Sequence, residues 1–105
     1  MKLKLGERMM IAVFFRTMGA VPRKDVIAYL NVMKTIEETE IPVKAEITQE
    51  QADAEIEVEM SSGIRKWLAD IITLWHRDHP IPTVGGSWYA VYMISLLTKL
   101  LEGGE

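Results

Sequence analysis

The side chains best suited to chemistry cluster at His76-Arg77-Asp78-His79, where two imidazoles stand three residues apart with a carboxylate between them. A zinc site here would need a further ligand brought in by the fold, because the His-Glu-x-x-His spacing of zinc hydrolases is absent. His76-Arg77-Asp78 also echoes the catalytic loop of kinases, yet Thr83 stands where that motif requires Asn, and no nucleotide-binding lobe accompanies it. The tetrapeptide follows a helical stripe, and His and Arg suit the negative pole of a helix end. We therefore read it as a polar helix terminus. With no Cys in 105 residues there is no thiolate nucleophile, no disulfide and no cysteine zinc site. No motif singles out a Ser or Glu for a triad. The sequence assigns no catalytic residue, metal or cofactor, and enzyme activity is not expected.

Three other groups bear on binding. Gly85-Gly86-Ser87 precedes an apolar helical run, and free amides at such a helix start can hold an anion. No phosphate-loop or dinucleotide pattern surrounds it, so a loop-to-helix turn capped by Ser87 is the plainer reading. Arg23 and Lys24 open a second helix after a turn at Gly19, as in a helix-turn-helix, and there they would meet phosphates or bases. The face they open onto offers Ala28, Asn31 and Lys34 but little else that reads bases. The chain is acidic overall, so a plain helical hairpin is preferred. Trp88, Tyr89 and Tyr92 are suited either to the core or to anchoring an interface.

Charge is distributed unevenly. The net charge is −3, but residues 1–36 hold seven basic and two acidic side chains, whereas residues 37–59 hold nine acidic and one basic. The acidic segment ends in Ala54-Glu55-Ile56-Glu57-Val58-Glu59-Met60, where apolar and acidic residues alternate strictly. On a strand, Glu55, Glu57 and Glu59 project from one face at intervals of about 7 Å, and Glu46 can join them from a neighbouring strand. Like charges so arranged cost free energy unless something offsets them. They form either a docking surface for a basic partner, imitating a phosphate backbone, or a solvated face offset by the basic N-terminal third.

The elements that must position these groups follow from periodicity. Residues 7–18 are apolar nearly all round and stop at Gly19, which predicts a helix. Pro22 opens a second helix with Val26, Ile27, Leu30 and Met33 at helical spacing, fraying near Glu38. Residues 43–60 then change to a period of two. Val43, Ala45 and Ile47 alternate with polar residues, and so do Ala54 to Met60, which predicts a hairpin with one face buried. The competing pattern is a helix capped by Thr48 with Gln51 three residues on, followed by the stripe Ala52, Ile56 and Met60; the longer alternation favours the hairpin. A third helix, capped by Ser62, carries the stripe Ile64, Trp67, Leu68, Ile71, Ile72 and Trp75. A last helix, capped by Ser87, is polar only along Ser95, Lys99 and Glu102, so it either runs through the core or covers a partner subunit.

A chain of 105 residues, 49% hydrophobic and 26% charged, makes one globular domain spanning 1–105. The apolar run at residues 9–15 is bounded by Arg8 and Arg16 and lacks a signal-peptide cleavage site, and residues 88–101 are too short to span a bilayer. A cytoplasmic location is expected, without membrane association. The fold class is α+β: two N-terminal helices, an acidic β-hairpin and two C-terminal helices. A homodimer through the final helix is expected.

The start Leu3-Lys4-Leu5-Gly6-Glu7-Arg8, followed by an apolar helix, a Gly turn and a second amphipathic helix, resembles a group of small uncharacterised bacteriophage proteins. These share a Leu-x-Leu-x-Glu-Arg start and an acidic Glu-Ile-Glu-type strand before a helix, a pattern that residues 54–60 match. The likeness spans the chain to about residue 80. It departs where that group places Pro shortly before the turn Gly, since Arg16, Thr17 and Met18 stand there. The resemblance implies no catalytic residues. It implies a phage-encoded accessory protein, and we expect a non-enzymatic modulator or inhibitor of a host or phage protein, docking through Glu46, Glu55, Glu57 and Glu59. One alternative is a DNA-binding regulator using Arg23 and Lys24. Another is a binder of a small anionic ligand at a dimer interface, near Gly85, Gly86 and Trp88.

Overall fold

The structure, a computed structural model, describes residues 1–39, 47–81 and 88–102. These form five α-helices and one two-stranded antiparallel sheet, an α+β arrangement dominated by helix. Strand β1 (Lys2–Lys4) leads directly into helix α1 (Leu5–Met18). Helix α1 starts two residues earlier than its apolar pattern, because the Glu7 carboxylate accepts the Lys4 amide at 2.6 Å and closes the first turn. Gly19 ends it with φ of 75°, a left-handed conformation that suits Gly, and its amide bonds back to the Phe15 carbonyl.

A 3-10 turn (Arg23–Asp25) after Pro22 precedes helix α2 (Val26–Glu37). The segment that follows corrects the expected hairpin. Residues 49–53 form a short helix, α3 (Gln49–Asp53), whose Thr48 Oγ1 accepts the Gln51 amide while Gln51 returns a bond to the Thr48 amide. This is the capping box of the competing pattern, and it satisfies two amides that a hairpin turn would leave to water. Residues 43–46, the greater part of the expected first hairpin strand, lie outside the described residues. Strand β2 (Glu55–Glu57) pairs instead with β1, in the register Lys2 opposite Glu57, Leu3 opposite Ile56 and Lys4 opposite Glu55. Backbone bonds from the Leu5 amide to Ala54 O and from the Val58 amide to Met1 O extend the pairing at both ends.

Helix α4 (Ser62–Asp78) is capped by Ser61, one residue before the expected cap, whose Oγ accepts the Ile64 amide. Helix α5 (Trp88–Leu101) completes the fold. The centre of the core is α1. Ile11 and Phe14 are wholly buried there among Val32 and Ile36 of α2, Leu68 and Ile72 of α4, and Met93 and Leu96 of α5. Phe15 extends this core by packing edge-on to Tyr29 and stacking on Trp67. No helix among the described residues is long and apolar enough to cross a membrane.

Candidate functional site

Leu3 and the unbroken run Leu5 to Arg8 are buried, with Lys4 between them partly exposed. Glu7, at 0% exposure, lies within that run. Such a carboxylate survives only if its lone pairs are used. Besides the Lys4 amide it accepts Ser95 Oγ at 2.6 Å and Lys99 Nζ at 2.8 Å, both from α5. Lys99 then bridges outward to Glu55 at 2.8 Å and to the Lys2 carbonyl at 2.9 Å. Partial burial works to lower the Lys99 pKa, but the bonds to Glu55 and Glu7 outweigh it and hold the ammonium above its ordinary value. Of the polar stripe of the last helix, Ser95 and Lys99 thus face inward, onto the β1–α1 junction, while Glu102 is exposed.

A second cluster lies one turn away. Tyr92 donates its hydroxyl proton to Asp53 Oδ1 at 2.8 Å, and the Gln49 amide donates both to that hydroxyl and to Asp53 Oδ2. These bonds, with Lys4 at 3.8 Å, keep the Asp53 carboxyl below its usual range. The Tyr92 ring lies flat against Gly6, where a Cβ would meet three ring carbons at 2.7 to 2.8 Å. The only side chain that permits this approach is hydrogen. The neighbouring Arg8 is also buried, donates to the Thr39 carbonyl at 3.2 Å, and has its pKa lowered by desolvation. Together these groups act as a polar clamp between the first residues, α3 and α5. They present no nucleophile with a free base beside it.

The expected docking residues are placed as follows. Glu55 pairs with Lys99, and Glu57 binds the Met1 amino group at 2.6 Å; each contact lowers the pKa of its carboxyl. Both also face lysines across the ladder. The acidic strand is therefore neutralised largely from within, by the basic N-terminal segment. Glu59 is exposed and lines, with Glu57 and Lys34, an open groove of about 640 Å³ between α2 and the chain after β2. Glu46 lies outside the described residues.

At the His pair, the His76 Nδ1–H donates to the His79 carbonyl at 2.6 Å, and its Nε2 accepts the Tyr89 hydroxyl at 2.9 Å. His79 donates through Nδ1 to the Trp75 carbonyl and stacks on the Trp75 ring at 3.9 Å. Both rings cap the end of α4, and His76 has no nitrogen left for a metal. Among the described residues no group of three His, Asp or Glu side chains is placed to hold a metal ion. Of the anionic-ligand residues, Gly85 and Gly86 lie outside the described residues. Trp88 is exposed, its ring edge-on to Tyr92 at 5.8 Å. The three aromatics of the last helix divide accordingly: Tyr92 is in the core, Tyr89 on His76, and Trp88 in solvent.

Two apolar surfaces are exposed: part of the stripe the sequence placed on the second helix, and a face of the last helix, which the sequence assigned either to the core or to a partner subunit. On α2, Ile27 is 72% exposed and Leu30 53%, with Val26 beside them. Arg23 and Lys24, in the 3-10 turn before α2, and Lys34 on α2 are exposed and make no ion pair among the described residues. On the opposite side of the sequence, α5 exposes Trp88, Val91, Ile94 and Leu101, and α4 adds Leu74. The signal was present in both helices, as apolar residues on more faces than one core can take. Compared with known proteins, the chain matches no protein-family model, no curated protein and no solved structure.

Proposed function

We propose that the protein is a non-enzymatic binding protein, an accessory modulator of the kind its phage-like start implies, that docks on an acidic and partly apolar surface of a partner protein through α2. The observation that carries this reading is the exposure of Ile27 and Leu30 between Arg23 and Lys24 on one side and Lys34 on the other. Apolar side chains held in water favour association, and uncommitted cations beside them select an acidic partner and speed its approach. The docking surface moves here from the acidic strand because Glu55 and Glu57 already have partners within the chain. Recruiting them would mean breaking those contacts first.

The same cations could meet nucleic acid, but Ile27 and Leu30 occupy the face where a reading helix needs hydrogen-bonding side chains. The test is affinity capture from nuclease-treated bacterial lysate with three forms of the chain: native, Ile27→Glu/Leu30→Glu, and Glu55→Gln/Glu57→Gln/Glu59→Gln. A stoichiometric partner kept by the glutamine triple variant and lost by the α2 variant supports the proposal. The opposite pattern returns the docking surface to the acidic strand. No protein partner, together with low-salt retention on duplex DNA that Arg23→Ala/Lys24→Ala abolishes, replaces it with the DNA-binding regulator.

A further inference from the structure

We propose that the outer face of α4 and α5 is covered by a second copy of this chain, packed antiparallel about a twofold axis passing near Ile94 and Leu74. The inference rests on a different face from α2, so it stands or falls separately from the docking proposal. Trp88, Val91, Ile94 and Leu101 recur along one side of α5 over about 20 Å, with Thr98 the one polar residue among them. Reversing the helix about the point between Ile94 and Ser95 sets Trp88 opposite Leu101, Val91 opposite Thr98, and Ile94 beside its own copy. A twofold interface requires a surface that fits itself under such a reversal.

The charges on α4 obey the same symmetry. The two helices run in opposite directions, since His76 near the end of α4 bonds Tyr89 near the start of α5, while Asp70, farther back, shares a depression with Leu97. That depression is lined by Asp70, Leu74 and Arg77, which lie along one side of α4 as an acid, an apolar residue and a base. Reversal about Leu74 sets Arg77 of each copy opposite Asp70 of the other. Both are exposed, and their present partners are weak: Lys66 on the same helix at 3.5 Å and the adjacent Asp78 at 3.9 Å. A parallel arrangement of the two copies would instead set Asp70 beside Asp70 and Arg77 beside Arg77.

The area is adequate. Five large apolar side chains, each about half exposed, offer roughly 500 Å² per copy, toward the upper end of the roughly 300 to 600 Å² that the largest, often functional, apolar patch of a monomer covers. With the polar rim around them the contact approaches the roughly 800 Å² per partner of a stable complex.

Sedimentation equilibrium of the full chain at micromolar concentration tests this. The expected mass is twice the 12.0 kDa of the single chain. Ile94→Asp, at a half-exposed position that the fold itself does not need, should raise the dimer Kd about thirtyfold or more while circular dichroism stays unchanged. Asp70→Arg or Arg77→Asp alone should weaken the dimer, and the double exchange should restore it. Because the chain has no Cys, Ile94→Cys should also crosslink to its own copy on mild oxidation. A monomer at all concentrations, an open-ended assembly, a dimer indifferent to Ile94→Asp, or charge exchanges that do not compensate would each overturn the proposal.

Discussion

Replacing Gly6 by Ala gives the most direct test of how the N-terminal motif is built in. The added Cβ would lie 2.7 Å from two ring carbons of Tyr92 and 2.8 Å from a third. Carbon atoms in contact rest at about 3.5 to 4.0 Å, so ring and helix must separate by close to 1 Å. The ring cannot simply turn aside: it is 2% exposed, and its hydroxyl is held by Asp53 and Gln49. Relief must come from moving α1 away from α5, which also stretches the Glu7 bonds to Ser95 and Lys99. Overpacking of this kind costs about 1 to 3 kcal/mol, against a gain of at most about 1 kcal/mol for replacing Gly with Ala inside a helix. A net loss of about 1 to 2 kcal/mol should lower Tm by roughly 5 to 15 °C in a domain this small. Thermal unfolding followed by circular dichroism reads this directly. In a Tyr92→Leu background the same Gly6→Ala change should be neutral or stabilising, a coupling of about 1 to 3 kcal/mol in the double-mutant cycle. A Gly6→Ala protein as stable as the native one, or equal effects in both backgrounds, would refute the reasoning.

Three further outcomes are expected. Glu7→Gln keeps the shape of a wholly buried side chain but removes its charge, and should cost about 2 kcal/mol in urea unfolding; this is below the usual loss for a broken buried pair because Lys99 keeps Glu55 and the Lys2 carbonyl. Thr48→Ala removes the cap of α3 and should cost about 1 kcal/mol, with amide exchange at Gln51 quickening first. Asp53, Glu55 and Glu57 are all held below their ordinary pKa, so the unfolded chain binds more protons than the folded one in mildly acidic solution. Their stabilisation is complete above the unfolded carboxylate range of about 4 and disappears as pH falls through the lower folded values. The urea midpoint should therefore hold near neutrality and drop below about pH 4, less steeply in Glu55→Gln; a midpoint constant down to pH 2.5 would contradict the ion pairs.

Much of the helical layout was legible because long apolar stripes carry their own period. The stripe on α4 put Leu68, Ile71 and Ile72 in the core, and Gly19 marked the end of α1. The sheet was legible only by half. Alternation at residues 54–60 says that one side of the chain meets something, but not which segment pairs with it. The partner, Lys2–Lys4, is three residues long and too short to show a period of its own. A signal did exist in the charges, since a basic N-terminal segment and an acidic segment attract, and the ladder sets lysine opposite glutamate at both ends. At residues 48–53 the capping box of Thr48 and Gln51 makes a short helix where the hairpin turn was expected, while the helix of the competing pattern stops at Asp53 and leaves residues 55–57 to the strand.

The inward polar residues of α5 have the same origin as its outward apolar stripe. Glu7 sits in a nearly apolar helix, and a carboxylate there must find donors from a neighbouring element. Ser95 and Lys99 supply them, which fixes the rotation of α5 about its own axis: with those two residues turned toward α1, Val91, Ile94 and Leu101 are carried to the outside. Burying a single charge in the N-terminal motif thus determines which side of the last helix is left for another molecule. Substitutions at Glu7 or Lys99 should accordingly change the stability of the fold and the α4–α5 contact together, whereas Ile94→Asp should change the contact alone.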